Sequence, residues 1–386
     1  MWSPSGNGLS RMTIRFIHTA DWHIGKPFRN FPADLAGELG AARLDAIGRI
    51  AAIARARDAF HVLVAGDVFD SDLLEAVVIR RALERMAREA DINWLLLPGN
   101  HDPARPGGLW DRISRIGTPV NVTALLRNEP IVFQRDGMLL PAPLTSKNPG
   151  RDPTGWMDEA ATPGGLVRIG LGHGSVQGFG SDGDSAVTIA KDRARTAGLA
   201  YLALGDWHGQ KSIDARTWYP GTPEPDRFRD NDPGFVLAVV IEGAGDVKVE
   251  SVKSAAFGWG QFSQTIRAKS DFTNLEKTIA ASSDAPERFL VKLDLSGSLS
   301  LSGHAAFAAW REIWSGKVRH LDIDDRNLIA LPEDGDLQSL GGEGPLVDAA
   351  RALQAMQRDS NHPDHAAASL ALIRLYAFAQ EARDAS

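Results

Sequence analysis

The amino-acid sequence predicts an α/β fold for roughly the first two-thirds of this 386-residue chain. Short apolar runs of about strand length recur there, and Gly or Pro bounds them. Segments rich in Ala, Arg, Leu and Glu, with apolar residues near helical spacing, separate the first three runs. In α/β folds ligands bind at the carboxyl ends of the strands, so the residues that follow each run are candidates for binding or catalysis.

Five apolar runs each lead into a polar cluster, with predicted helices over Leu39–Ala56 and Leu73–Ala90. The runs and their clusters are Ile14–Thr19 before Asp21 and His23, His61–Ala65 before Asp67, Trp94–Leu97 before Asn100 and His101, Val167–Leu171 before His173, and Ala200–Leu204 before Asp206 and His208. A single histidine after a strand proves little, but five clusters at equivalent strand ends predict one shared site. The histidines inside or at the start of strands, His18 and His61, are expected to be core or edge residues.

The rest of the chain divides into smaller parts. Phe235–Ile241 and Asp246–Val252 are expected to close a first domain over residues 1–256. A small α+β domain over 257–330 follows, with strand, helix, strand, helix and strand expected in Phe262–Arg267, Asn274–Ala281, Phe289–Leu295, His304–Trp314 and Val318–Ile323. Asp325–Gly344 is expected to be a loop-rich linker, and Leu346–Arg358 and Asp364–Ala382 are the predicted helices of the last part, 331–386.

Composition narrows the class of protein. The chain has no cysteine, which excludes disulfides, thiolate zinc sites and a cysteine nucleophile. Its first residues lack the apolar core of a signal peptide, and no apolar run reaches the ~18 residues of a membrane span, so we expect a soluble cytoplasmic protein. The formal net charge of -7 argues mildly against a pure DNA-binding module, but it is compatible with carboxylates that metal ions neutralise.

The polar clusters are suited to binding divalent metal ions. Asp21 and His23 are two residues apart, which places both side chains on one face of an extended strand end, and Asp206 and His208 repeat that spacing. Asp67, Asn100 and His173 add a carboxylate that can bridge two ions, an amide oxygen and an imidazole nitrogen. Mixed oxygen and nitrogen ligands suit Mn²⁺, Fe²⁺ or Zn²⁺. Two such ions, about 3.5–4 Å apart, can activate a bridging water and clamp a phosphate for in-line attack, with His101 as the candidate donor to the developing charge.

The order of these motifs, DWH (21–23), GD (66–67), GNHD (99–102), GH (172–173) and GDWH (205–208), resembles the calcineurin-like metallophosphoesterases. The resemblance spans roughly Ile14 to Val252. It implies a two-sheet β-sandwich flanked by helices, one metal ion held by Asp21, His23, Asp67 and His208, and a second held by Asp67, Asn100, His173 and the residue at 206. It also implies that His101 acts on the transition state and the leaving group.

A closer branch is suggested by the segments HTADWHIG (18–25), GDVFDS (66–71), LPGNHDP (97–103) and YPGTPEPDRF (219–228), which look like those of the DNA repair exonucleases of the SbcD and YhaO type. A small capping domain beside the nuclease domain also fits that branch. The resemblance implies DNA ends as the substrate, an SbcC-type SMC-like ATPase as the partner, and a homodimer.

One position departs from the family pattern, because Asp206 stands where the last motif normally has histidine. Aspartate binds the same hard ions, so we expect the second metal site to be retained, with the preference shifted toward Mn²⁺ or Mg²⁺. Two other functions remain open: a small-molecule phosphodiesterase or phosphatase on the same scaffold, and a non-catalytic scaffold subunit of an ATPase complex.

Overall fold

The computed structural model describes residues 13–178, 187–229, 231–243, 245–331, 336, 343–359 and 361–384. The chain divides into two compact units, residues 1–226 with 231–257, and residues 227–230 with 258–386. The N-terminal segment in which no signal peptide is expected lies outside the described residues. Among the helices that are described, none has the length and apolar character needed to cross a membrane.

The first unit contains fourteen of the strands and four α-helices described in the chain. In order they are β1 (Thr13–Thr19), α1 (Ala33–Arg55), β2 (His61–Val64), α2 (Ala76–Arg88), β3 (Asn93–Leu96), α3 (Leu109–Ile116), β4 (Val122–Ala124), β5 (Ile131–Phe133), β6 (Gly137–Pro141), β7 (Val167–His173), β8 (Ser175–Val176), β9 (Thr188–Ile189), α4 (Arg193–Thr196), β10 (Tyr201–Gly205), β11 (Lys211–Ser212), β12 (Thr217–Tyr219), β13 (Phe235–Glu242) and β14 (Asp246–Lys253).

Two six-stranded mixed sheets form the centre of this unit. The first has the order β14-β13-β1-β2-β3-β4, with β1 to β4 parallel and β13 antiparallel to β1. The second has the order β11-β12-β10-β7-β6-β5, in which β12, β10, β7 and β6 are parallel. The ends of β7 and β10 are in register, since Gly205 lies opposite His173. Parallel central strands bring the residues that follow them to one edge of each sheet.

Each central strand buries both of its faces. In β1, Phe16 packs between the two sheets with Phe133 and Tyr201, whereas Ile17 packs on the opposite face against α1. Other side chains of the first sheet pack with α1, α2 and α3 in the same outer core, and the second sheet packs with α4 in a further outer core. A strand that is buried on both faces needs apolar residues at successive positions, and this explains the continuous apolar runs in the sequence. The predicted two-sheet sandwich flanked by helices is confirmed.

The second unit is a three-stranded parallel sheet with helices between the strands, followed by two further helices. Its elements are β15 (Gly258–Ile266), α5 (Lys269–Ala281), β16 (Phe289–Leu299), α6 (Leu301–Lys317), β17 (His320–Ala330), α7 (Pro345–Arg358) and α8 (His365–Asp384). Phe272, Phe307, Trp310 and Trp314 of α5 and α6 stack in the core against β16. A smaller core joins α6 to α7 and α8.

Part of the predicted linker is regular structure. The loop-rich interpretation of Asp325–Gly344 is wrong for its first residues, because β17 continues to Ala330 beside β16 after a register shift between Asp294 and Ser296. The charged residues at the start of that segment gave it the composition of a loop, although they lie on a strand. Residues 332–335 and 337–342 of the predicted linker lie outside the described residues.

Candidate functional site

The predicted site residues meet at the carboxyl edges of the two sheets. Asp21 and His23 follow β1, Asp67 follows β2, Asn100 and His101 follow β3, His173 ends β7, and Asp206 and His208 follow β10. Potential ligand atoms of Asp21, His23 and His208 lie within 4.8 Å of one another, and so do those of Asp21, Asp67 and His173. Asn100 Oδ1 lies 3.0 Å from His173 Nε2, and Asp206 Oδ1 lies 3.8 Å from the same atom. The structure therefore brings all of these residues together.

Strained backbone positions several of the acidic and imidazole side chains. Asp21, His23, Asp67 and Asp206 have positive φ angles of 54°, 44°, 52° and 104°. Residues other than glycine rarely adopt this region, and such strain persists only where the surrounding structure fixes it. One fixing contact is the backbone N–H of Asp206, which donates to both carboxylate oxygens of Asp21 at 3.1 Å.

Glycines allow the strand ends to approach each other closely. A Cβ on Gly99 would lie 2.1 Å from Asp67 Oδ1, and a Cβ on Gly66 would lie 2.1 Å from His173 Nδ1. At Gly205 a Cβ would meet the carbonyl oxygen of Ala65 at 2.0 Å. The glycines of the predicted motifs thus make room for the site residues, which could not pack as they do against any larger residue.

The imidazole of His173 is fixed by a backbone acceptor. Its Nδ1–H donates to the carbonyl oxygen of Ala65 at 2.8 Å, which directs Nε2 toward Asn100 Oδ1 and, at 3.5 Å, toward Asp67 Oδ2. The ring is fully buried. A histidine whose second nitrogen is held in this way has a defined orientation, as metal-binding histidines have.

His23 and His208 face each other, and each has a carboxylate beside its Nδ1 atom. The Nε2 atoms of the two rings are 3.2 Å apart, while His23 Nδ1 lies 3.2 Å from Asp70 Oδ1 and His208 Nδ1 lies 3.3 Å from Asp226 Oδ1. A carboxylate beside Nδ1 favours the tautomer that carries its proton there. Both Nε2 lone pairs then point into the same space, where they repel each other unless a cation or a proton lies between them.

The carboxylates of the site are held in an unfavourable environment for negative charge. Burial raises the pKa of Asp21 to about 6, with Asp67 and Asp206 adding repulsion. Burial alone would also raise the pKa of Asp67, but the neighbouring His173 holds it below its usual range. Burial likewise opposes charge on His173, yet Asp67 and Asp21 hold the pKa of that imidazole well above its usual value. The carboxylates of Asp67 and Asp21 therefore favour a positive charge at His173, which is the sign of charge that a bound cation supplies.

These donor atoms fit divalent cations. The site combines carboxylates of Asp21, Asp67 and Asp206, the amide oxygen of Asn100, and the Nε2 atoms of three oriented imidazoles. Buried carboxylates and facing nitrogen lone pairs are costly to assemble without compensating positive charge. Metal ions bind carboxylates and neutral imidazoles and displace protons from them. Asp206 is within reach of His173 and is half-buried, so its carboxylate faces the site that the family pattern gives to a histidine.

His101 lies at the exposed side of the site. Its backbone N–H donates to Asp67 Oδ1 at 2.9 Å, and its Nδ1 lies 2.9 Å from the carbonyl oxygen of Asp70. A donated Nδ1–H leaves Nε2 available to a ligand. The adjacent Asp102 has a structural position, because its buried carboxylate accepts the backbone N–H groups of Gly99 and Phe69.

Two residues that contact the site were not identified from the sequence. Asp226 orients His208 through the Nδ1 contact described above, Asp70 lies beside His23 Nδ1, and Lys26 Nζ lies 2.6 Å from Asp226 Oδ2. Both carboxylates lie within the segments GDVFDS and YPGTPEPDRF, which the sequence singled out as whole motifs. Which member of each motif reaches the site depends on the loop conformation, and no periodicity reveals that.

Comparisons with known proteins agree with this geometry. The chain is 27% identical, over 276 residues, to the SbcD subunit of the SbcCD nuclease of Rhodobacter capsulatus, a match that covers 55% of this chain and 62% of the relative. This chain thus spans less than two-thirds of the length of that relative. Residues 14–210 match the family of calcineurin-like phosphoesterases, and this region includes every predicted site residue. The chain belongs to the calcineurin-like phosphoesterase family, whose members are hydrolases of phosphoester bonds.

Proposed function

We propose that this protein is a metal-dependent DNA exonuclease that hydrolyses phosphodiester bonds at DNA ends in DNA repair. The observation that carries the proposal is the grouping of three imidazoles, His23, His173 and His208, with the buried carboxylates of Asp21 and Asp67 beside the exposed His101. Similarity to one protein of a nuclease complex supports DNA as the substrate.

The residues divide into two proposed ligand sets that share Asp67. Asp21, His23, Asp67 and His208 would hold one divalent ion, and Asp67, Asn100, His173 and Asp206 would hold the other. Bound ions of this kind supply Lewis acidity and lower the pKa of a coordinated water. The donor set is rich in hard oxygen ligands, with a third carboxylate from Asp206, and this favours Mn²⁺ over Zn²⁺, with Mg²⁺ and Fe²⁺ as alternatives.

His101 has the position of a residue that acts on the substrate. Its ring packs edge-to-face on His23, with 4.7 Å between the centroids, and its Nδ1 contact with the Asp70 carbonyl fixes the direction of Nε2. A donor held in this way can stabilise charge that develops on a phosphate oxygen or on the leaving oxygen. Because the backbone N–H of His101 also donates to Asp67, the position of His101 is fixed relative to the carboxylate that both proposed ligand sets share.

The partners of this protein are also part of the proposal. The relative is, by its name, one component of a complex called SbcCD. By the same resemblance we propose an SbcC-type SMC-like ATPase as the partner of this chain, a homodimer as its assembly and the cytoplasm as its location. Copurification with such an ATPase, and the mass of the free protein in solution, test the first two statements.

The function is tested with end-labelled linear double-stranded DNA and Mn²⁺, with His101→Ala as the control. Stepwise shortening by the wild type, and at least about 100-fold less by the variant, is the expected result. If DNA stays intact while an activated aryl phosphodiester is hydrolysed, the site acts on a small phosphodiester instead. If neither substrate is hydrolysed by the metal-loaded protein, the catalytic proposal is wrong and a scaffold role replaces it.

A further inference from the structure

A cleft of about 670 Å³ lies in the first unit, between the segment that follows β4 and the segment that follows β6. Residues that line it include Arg127, Asn128, Thr145, Arg151, Trp156 and Glu159. Its volume is within the range of known ligand-binding pockets. None of these residues belongs to the site described above.

The cleft is connected to the loop that carries Asn100 and His101. Leu144, which lines the cleft, accepts the backbone N–H of Ala104 at 2.7 Å and donates to the carbonyl oxygen of Pro98 at 3.2 Å. Those two contacts bracket the Gly99–Pro103 loop. On the other side, the backbone N–H of Leu125 donates to Leu96 at the end of β3. The cleft therefore lies at the same edge of the sheets as the site.

The cleft presents positive charge that the protein itself does not neutralise. Arg127 and Arg151 are exposed, and neither forms an ion pair with any residue in the described part of the chain. The lining carboxylate of Asp152, by contrast, is already bonded to Thr154, to the N–H of Ala190 and to Arg193. This leaves the exposed Glu159 as the opposing charge at the cleft.

Trp156 adds an aromatic ring, which is suited to contact a nucleic-acid base. It lines the cleft, and its buried indole N–H has no hydrogen-bond acceptor among the described residues. That N–H is itself buried, but the residue is only half-buried, so part of its indole ring lines the cleft. Arginines that contact phosphates and aromatic rings that stack on bases are the two components of single-strand binding surfaces.

We propose that this cleft binds the backbone of a DNA strand as that strand extends from the site past His101. Arg127 and Arg151 contact the phosphates, Trp156 contacts the adjoining nucleotide, and Glu159 weakens the attraction. This inference rests on the proposed function, since it names the part of the protein that holds the same substrate. It explains how a protein with a formal net charge of -7 binds a polyanion.

The test is the double variant Arg127→Ala/Arg151→Ala, assayed on DNA and on an activated aryl phosphodiester. The expected result is a KM for DNA raised at least about tenfold, with the small substrate unaffected, because only the DNA reaches the cleft. The dependence of log KM on log salt should lose about two units of slope, one for each phosphate contact. Glu159→Gln should change the KM for DNA in the opposite direction, and Arg127→Lys/Arg151→Lys should restore most of the binding.

Arg88→Ala is the matched control. Arg88 is exposed in the last turn of α2, shortly before β3 begins, and so lies near the amino ends of the strands, away from the site. It should leave the KM for DNA unchanged. An unaltered KM in the double variant, or an equal increase with Arg88→Ala, overturns the inference while leaving DNA cleavage intact. If the wild type does not cleave DNA at all, the proposed function fails first, and Mn²⁺-loaded binding of a labelled single strand then decides whether the cleft binds nucleic acid.

Discussion

Single residues outside the predicted ligand set control the orientation of the imidazoles, and Asp226 is the clearest case. Its carboxylate is buried and lies between His208 Nδ1 and Lys26 Nζ. Burial alone would raise the pKa of Asp226, but His208, Arg43 and Lys26 hold it well below its usual range. Asp226 is therefore a charged acceptor that fixes the proton of His208 on Nδ1 and leaves Nε2 for the site.

Asp226→Asn tests this positioning role. An amide can present its NH₂ group to His208 and so lose the tautomer preference, and the loss of such partners typically costs about 10–100-fold in metal affinity. The measurement is the Mn²⁺ concentration that half-activates hydrolysis of an aryl phosphodiester. Asp246→Asn, at an exposed end of β14, is the control and should not change it. Activation of Asp226→Asn at the wild-type Mn²⁺ concentration would contradict the role.

His18 gives the first unit a pH-dependent stability. It is completely buried between Tyr201 and the carbonyl oxygen of Leu204, and burial lowers its pKa to about 3. Since its pKa in the unfolded chain is about 6.5, the unfolded state takes up a proton first as the pH falls. The contribution of His18 to the free energy of unfolding is complete above pH 6.5. It declines as the pH falls from 6.5 to 3, and about 2 kcal/mol of it is lost by pH 5.

The His18→Gln variant removes this titration. It should be less stable than the wild type at pH 7, because a buried hydrogen-bonded ring is lost, yet its free energy of unfolding should fall less steeply between pH 7 and pH 5. Between pH 7 and pH 5, the free energy of unfolding should fall by about 2 kcal/mol less in the variant than in the wild type. Urea unfolding at several pH values gives both slopes, and parallel slopes would show that His18 is protonated equally in the folded and unfolded states.

At the scale of secondary structure, the loops that follow the strands determine the positions of the site residues. The loop of Gly99 approaches Asp67 so closely that a Cβ would lie 2.1 Å from its Oδ1, and the same atom accepts the N–H of His101. Gly99→Ala should therefore displace the carboxylate or the loop and lower the rate on any substrate about 100-fold, as misplacement by 1 Å can do. Gly164→Ala, where a Cβ has no neighbour within 4 Å, should be neutral. Steady-state kinetics compares the two variants, and equal rates would mean that the loop adapts.

Helices and strands are predictable from the sequence where buried apolar residues recur at a regular spacing, and they are not predictable where the element is too short to show one. The five apolar runs are recognisable in the sequence because central strands bury both faces. The short elements β5, β11 and α3 are not, since two to eight residues show little periodicity. Helix α1 begins at Ala33, six residues before the predicted start. Gly37 and Gly40 have low helix propensity, but burial of Leu35 and Leu39 outweighs it. That these residues meet at the strand ends could be predicted from their order, but the contact of Asp226 with His208 and the left-handed backbone of Asp206 depend on tertiary contacts.

At the scale of the whole molecule, the two units have separate cores, and only the first contains the site. Its cluster of buried carboxylates and facing imidazoles opposes folding of that unit in the absence of positive charge. Metal ions that bind the folded unit and not the unfolded chain reverse this effect. The stabilisation grows with the logarithm of the metal concentration and reaches about 2.7 kcal/mol at 100 times the dissociation constant of one site.

Hydrogen exchange of individual peptides can assign this stabilisation to one unit. Saturating Mn²⁺ should slow exchange in peptides from β1 and β7, and chelation should reverse the effect, whereas peptides from β16 should exchange at the same rate under both conditions. Asp67→Asn, which removes the charge of the proposed shared ligand, should lose most of the response in β1 and β7. An equal response in β16, or a full response in the variant, would place the stabilising ion elsewhere than between the two sheet edges.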